Sequence, residues 1–399
     1  MRALLVVAFV AAGPAFADYA MPGPLAVTKS AGSVTVAAAS FAIDAYVPNT
    51  GGPWPVIGLG HGFSNLKDNM GTLARLLATR GNVVVVPQFP AGSSDHARNA
   101  QALLAAIDWA LANAAFAGKV DGSRQGVAGH SAGGLAAFLA GAARPSLKAV
   151  VLLDAVDSNG LGLAQVANVK SPVLFTFAEG GSCNATTNTT AWFPGLTGTK
   201  SRMKVVSAGH CDAQDPPNSL FCTLTCGAVN AARQTLFKRY AVAWLQYFVS
   251  CELAARDAVD GAQVTTDTSS GALASVQHVL VPAAPCAASD IDAGTSADAG
   301  VADAGTAADA GLAPDAGSAD AGLAPDAGSS DAGSSGDAGL ADAGRGSSDA
   351  GGTDGGLPDA GTGGELPAQR GCGCGAGFPP SVLLALLAIA RLRRRAIRS

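Results

Sequence analysis

Gly126-Val127-Ala128-Gly129-His130-Ser131-Ala132-Gly133-Gly134 is the stretch on which the reading of this chain turns. It holds the pattern G-x-S-x-G with Ser131 at its centre. In that pattern a strand turns sharply into a helix and leaves the serine at the apex in a strained backbone conformation. Gly129 and Gly133 suit the turn because a larger side chain on either flank would collide across it. The flanks agree with this reading. Arg124 to Ala128 reads as a short buried strand, and Leu135 to Ala140 continues as an alanine-rich helix.

The chain around this motif has 399 residues, which on length alone suggests two or three domains. Composition argues for one. From Ser289 to Gln369 the sequence is almost wholly Asp, Ala, Gly, Ser, Thr and Pro, with no aromatic residue. Such a segment buries too little apolar surface to offset its ordering entropy and is expected to be a disordered, self-repelling spacer. Its A-D-A-G and L-A-P-D-A-G repeats are too irregular, and too rich in proline, for calcium-binding nonapeptide repeats. Residues 18–288 remain as a single catalytic domain with one well-buried core.

The net charge of −5 conceals an uneven distribution. The spacer carries fourteen Asp and one Glu against one Arg, whereas Asp18 to Ala288 has 17 Lys plus Arg against 15 Asp plus Glu. No basic surface is indicated, and nucleic acid is not an expected partner.

Both ends look like targeting segments. Residues 1–17 open with Arg2, continue as an apolar run and close with Ala15-Phe16-Ala17, the small-x-small pattern of a secretory cleavage site. Residues 370–399 contain Cys372 and Cys374 among glycines, then an apolar run from Val382 to Ala390, then arginines at 391, 393, 394, 395 and 398. Positive charge after an apolar segment holds that end on the cytoplasmic side. This order of parts resembles the MYXO-CTERM sorting tail of myxobacterial surface proteins. The resemblance implies a membrane-inserted tail cut near Cys372 or Cys374 by a dedicated sorting protease, followed by display at the cell surface.

Within residues 18–288 strands and helices alternate. Leu25 to Val36 and Phe41 to Val47 read as an antiparallel start, and Pro55 to Gly60 as a buried strand ending in His61-Gly62-Phe63-Ser64. Asn65 to Arg80 and Arg98 to Ala115 read as helices on either side of the strand Val83 to Val86. That strand is too uniformly apolar to have one exposed face. Lys148 to Leu153 and Pro172 to Phe177 are further strands, Lys204 to Ser207 the last, and Thr235 to Cys251 a closing helix rich in aromatic residues. This alternation predicts an α/β fold with a doubly wound, mostly parallel sheet.

A serine hydroxyl becomes a competent nucleophile only when a base takes its proton and an acid orients that base. In a strand–elbow–helix site of this kind the acid and the histidine follow the serine in the chain. His61 and His96 precede Ser131, His130 is adjacent and would point away from it, and His278 lies beyond the closing helix. His210 remains, directly after the last predicted strand. Asp154 ends a buried strand at the sheet's carboxyl edge, where a lone carboxylate would be costly without a partner. Glu179 ends the next strand and is the alternative acid, and Asp157 is expected to be exposed or capping. The oxyanion requires two backbone N–H donors, expected from Ala132 and Phe63. The chemistry needs no metal or organic cofactor, and a small-molecule or lipid ester is the expected substrate.

The motifs H-G-F-S at His61, G-H-S-A-G-G at Gly129, L-L-D-A-V-D at Leu152 and A-G-H-C-D at Ala208 resemble an α/β-hydrolase group. The group includes chlorophyllases, plasma-type platelet-activating-factor acetylhydrolases and polyester-degrading cutinases. The resemblance covers Pro22 to Cys251 and implies a serine esterase. Chlorophyllases and acetylhydrolases carry their acid in segments similar to the one at Asp154. Cutinases carry it one strand later, where this chain has Glu179 and Gly181, and that departure weighs against a polyester reading. The other outcome to be expected from this fold is a surface binding module without turnover.

Six cysteines fall in the exported domain: Cys183, Cys211, Cys222, Cys226, Cys251 and Cys286. Export and an even number predict three disulfides, with a Cys183–Cys211 bridge pinning the histidine loop as the working hypothesis. A zinc site at Cys222-x-x-x-Cys226 lacks a second ligand pair.

Overall fold

A computed structural model describes residues 18–217 and 225–286, without the side chains of residues 185–187. The expected leader at residues 1–17, the expected spacer and the expected C-terminal tail lie outside the described residues. Among the described residues no helix is long and apolar enough to cross a membrane.

Nine strands form one sheet in the order β1-β2-β4-β3-β5-β6-β7-β8-β9. They are β1 (Val27–Val36), β2 (Ala39–Pro48), β3 (Trp54–Gly60), β4 (Val83–Pro87), β5 (Val120–His130), β6 (Ala149–Leu153), β7 (Val173–Phe177), β8 (Lys200–Val205) and β9 (Leu273–Val279). The stretch from β4 through β3 to β8 is parallel, while β1, β2 and β9 pair antiparallel at the two edges. Helices α1 (Gly71–Thr79), α2 (His96–Ala112), α3 (Ala132–Ala143), α4 (Trp192–Gly195), α5 (Ala231–Phe248) and α6 (Ala262–Ser269) surround it. This is the α/β-hydrolase architecture.

The alternation of side chains along each strand explains why four consecutive valines are stable here. Val84 and Val86 pack with Leu77, Tyr240 and Trp244 on one face, whereas Val83 and Val85 pack with Leu103, Ile107 and Phe138 on the other. Both faces are dry, so neither half of the period-two pattern needs polar residues. In β6, Val151 and Leu153 likewise join the first layer and Val150 and Leu152 the second. The aromatics of α5, Phe237, Tyr240, Trp244, Tyr247 and Phe248, are all buried in the first layer.

Two features depart from the sequence expectations. The helix expected from Asn65 is a 3-10 turn at Lys67–Met70 followed by α1, so the chain after β3 stays irregular through the H-G-F-S loop. The helix Ala231–Phe248 does not close the domain either. A 3-10 turn, α6 and the edge strand β9 follow, and Cys251–Cys286 ties the end of this excursion back to its start. As an edge strand, β9 lacks the all-apolar run that marks the central strands.

Backbone approaches at the sheet centre leave no room for side chains. A Cβ on Gly133 would lie 2.4 Å from the Gly60 carbonyl oxygen, and one on Gly129 2.1 Å from that of Gly133. Gly133→Ala is therefore expected to lower the unfolding free energy by about 3 kcal/mol or more, because backbone rather than a flexible side chain must give way. Urea denaturation of the purified variant checks this; a loss under about 0.5 kcal/mol would contradict the packing described.

Candidate active site

Strand β5 ends at His130, and the next residue breaks the extended conformation. Ser131 has φ 56° and ψ −120°, and α3 begins at Ala132. The strain is held by the surrounding backbone. The Ser131 N–H donates to the Leu153 carbonyl at 3.1 Å, while the Ser131 carbonyl accepts from Gly134 at 3.0 Å and Val156 at 3.3 Å. A residue in the positive-φ region persists only where neighbours over-determine it. Here the end of β6 and the first turn of α3 do so.

Asp154 follows β6, also at positive φ (44°), and is 1% exposed. Its Oδ1 accepts from the Ala178 N–H at 2.9 Å. Its Oδ2 accepts from Asn184 Nδ2 at 2.8 Å and from His210 Nδ1 at 2.6 Å. His210 opens the 3-10 turn His210–Ala213 after β8 and is 7% exposed. With Nδ1 donating to the carboxylate, Nε2 is left as the basic nitrogen of the neutral ring. The turn is fixed by Asp212, whose Oδ2 accepts from the Gly209 N–H at 2.8 Å and whose Oδ1 accepts from the Asn230 N–H at 2.6 Å.

The alternative acid is elsewhere engaged. Glu179 binds Lys204 Nζ and the Ser207 N–H through its carboxylate, at a side chain 45% exposed, whereas the His210 ring is hydrogen-bonded to Asp154. Asp157 caps a turn instead. It accepts from the Gly162 and Leu163 N–H groups and from Trp192 Nε1. Among the described residues neither the Phe63 nor the Ala132 N–H has an acceptor.

Two histidines set aside by chain order support the site from behind. His130 is fully buried, with its ring 4.5 Å from that of His210. Its Nε2–H donates to the His210 carbonyl at 3.0 Å, and Nδ1 accepts from Gln214 Nε2 at 3.2 Å. Burial, reinforced by the neighbouring His210, holds this ring well below the usual histidine range. His61 fixes the H-G-F-S loop: Nδ1–H donates to the Gly62 carbonyl at 2.9 Å and Nε2 accepts from the Phe89 N–H at 2.8 Å. Burial lowers it to about 4. The adjacency of His130 to Ser131 and of His61 to Gly62 was the available signal for both. Asn184 gave none.

Residues 14–254 match the family described as PETase, PET hydrolase-like. The chain belongs to that family. It is also similar to the bis(hydroxyethyl) terephthalate hydrolase of Streptomyces coelicolor, 24% identical over 201 residues, which is 50% of this chain and 58% of that protein. The chain thus spans little more than half the length of that curated relative. Membership reverses the weight placed on Glu179 and Gly181 as a departure from polyester-degrading relatives. In this PET hydrolase-like chain the carboxylate beside His210 simply sits at the end of β6.

The disulfides also differ from expectation. Cys183 pairs with Cys226, not Cys211, which overturns the proposed bridge to the histidine loop and removes Cys226 from any zinc site. The reason is local. Cys211 is buried in its turn (1% exposed), whereas the Cys183 loop runs alongside the segment of Cys226. Cys211 is itself disulfide-bonded, with its partner outside the described residues.

His61 predicts acid lability with a defined sign. Its value falls from an ordinary 6.5 to about 4 on folding, so below pH 6.5 the unfolded chain takes up a proton that the native chain refuses. Stability contributed in this way is intact above pH 6.5 and is lost as the pH falls towards 4, by roughly 3 kcal/mol in the limit. Denaturant titrations at stepwise pH should show this decline in the wild type and a shallower one in His61→Gln; equal slopes would refute it.

Proposed function

We propose that this protein is an exported serine hydrolase of carboxylic esters, with aromatic diesters of the bis(hydroxyethyl) terephthalate kind among its substrates. The observation that carries the reading is the buried Asp154–His210 pair, at 2.6 Å, on the sheet edge where Ser131 is held in its strained turn. Family membership and the ester hydrolase among its relatives support the substrate class. So do four exposed apolar side chains: Phe63 and Leu66 on the loop after β3, Leu161 and Leu163 on the loop after β6. These loops flank β5 on either side.

In this mechanism Ser131 Oγ attacks the ester carbonyl carbon while His210 Nε2 takes its proton, and Asp154 steadies the imidazolium. The developing oxyanion accepts from the Phe63 and Ala132 N–H groups, each such donor being worth about 3–4 kcal/mol in the transition state. The carbon–oxygen bond of the ester breaks, and His210 returns the proton to the leaving alcohol. Water, deprotonated by His210, then attacks the acyl-enzyme, releases the acid and restores Ser131. The leader at residues 1–17 and the tail at 370–399 support export and surface display as part of the same proposal.

A fluorophosphonate probe should label the wild type and not Ser131→Ala. On p-nitrophenyl esters and on bis(hydroxyethyl) terephthalate, Asp154→Asn should lower kcat by up to about 10⁴-fold, while Glu179→Gln stays within about twofold. Failure of the wild type to label, with no turnover of either ester, would leave a binding module in place of the enzyme.

A further inference from the structure

We infer that Asn184 is a positioning residue for the Asp154–His210 pair, a role resting on the ester-hydrolase reading above. Its amide nitrogen spends both protons: one on Asp154 Oδ2 at 2.8 Å, the oxygen that also receives His210 Nδ1–H, and one on the Glu179 carbonyl at 2.9 Å. The amide cannot be turned round, because its oxygen would then face two acceptors. Asn184 is 3% exposed, and its own Oδ1 is buried without a partner among the described residues. A buried acceptor left unmatched is costly. The residue is therefore not held for the sake of its oxygen; what it delivers is an amide nitrogen with one proton on the acid and the other on the Glu179 carbonyl.

The main chain at this point is anchored by its neighbours. Cys183 is bonded to Cys226, and Ser182 Oγ donates to the Thr225 carbonyl, so the amide approaches Asp154 from a clamped loop rather than from a mobile one. With Ala178 N–H on Oδ1 and Asn184 Nδ2 on Oδ2, the carboxylate plane is fixed from two directions. Oδ2 is then presented to His210 at a single angle. Removing Nδ2 does two things. The carboxylate can rotate about its remaining donor, and its charge, less satisfied, draws the imidazolium more strongly. The other ionisable groups around the pair are neutral or already matched. His130 and His61 are buried on the ring side, Asp212 is hydrogen-bonded to Gly209 and Asn230 with Arg233 at 3.7 Å, and Glu179 is paired with Lys204. Loss of the amide donor thus reaches the charge balance of His210 through Asp154, while the lost bond to the Glu179 carbonyl acts on the backbone that Glu179 shares with Ala208.

Two substitutions separate positioning from mere support. Asn184→Ala is expected to lower kcat about 10- to 100-fold, as partners that orient a catalytic group commonly do. KM should stay within about twofold, and the acid limb of kcat/KM should move to higher pH. Asn184→Asp keeps the shape but offers at most one proton to two acceptors, so its residual activity should decline further as pH rises. The low-field proton resonance of His210 Nδ1–H gives an activity-independent readout and should shift in both variants. Wild-type kcat, pH profile and proton resonance in a folded Asn184→Ala protein would overturn the inference. So would a loss of kcat with an unmoved acid limb and resonance. Failure of the ester-hydrolase reading looks different: the wild type is not labelled by fluorophosphonate, while the proton resonance still responds to residue 184.

Discussion

A buried carboxylate at the carboxyl edge of an apolar sheet is the constraint on which this structure depends. Moving an ionised carboxylate out of water costs several kcal/mol even after relaxation. Asp154, at 1% exposure, meets that cost with three donors: a backbone N–H, a side-chain amide and an imidazole N–H. Each hydrogen bond to a charged group returns about 1.5–3 kcal/mol, so the three together are of the size required. The donors come from the end of β7, from the Asn184 loop and from the turn after β8. The carboxylate therefore locks three segments of chain that the sheet alone would leave independent.

The same economy explains the backbone strain at the site. Ser131 and Asp154 both sit at positive φ, on adjacent strands, and the Ser131 N–H reaches the carbonyl just before Asp154. Each unfavourable conformation costs of order 1–3 kcal/mol and is held by the other's surroundings. The elbow and the acid are thus one structural unit, and on the elbow's other side Gly60, Gly129 and Gly133 bring the start of α3 close to β3 and β5. Any side chain there would push the start of α3 away from β3 and β5, at the turn that carries Ser131.

Much of this was legible in the chain. The valine run at 83–86 could only be a strand covered on both faces, and G-x-S-x-G fixed the strand–helix junction. The buried run ending at Asp154, with His210 after the next-but-one strand, was enough to nominate the two side chains that meet. What stayed hidden has physical reasons. The strand β9 is half-exposed and pairs at an edge, so its pattern carries no strong period. The partner of Cys183 depends on which way a turn faces, which spacing does not encode. His61 and His130 do their work by accepting and donating at ring nitrogens inside the core, a role that chain order cannot distinguish from an idle histidine. Asn184 lies in a Thr- and Asn-rich stretch that reads as ordinary loop.

The Cys251–Cys286 bridge has a mechanical consequence. It joins the chain just past α5 to Cys286, closing a span of 35 positions that contains β9. A pull arriving from the C-terminal side enters the domain through this covalent link and is delivered to α5, whose aromatic residues are set in the core. The edge strand is bypassed. Without the bridge, the same tension would act first on the pairing of β9 with β8; with it, the load passes to the end of α5.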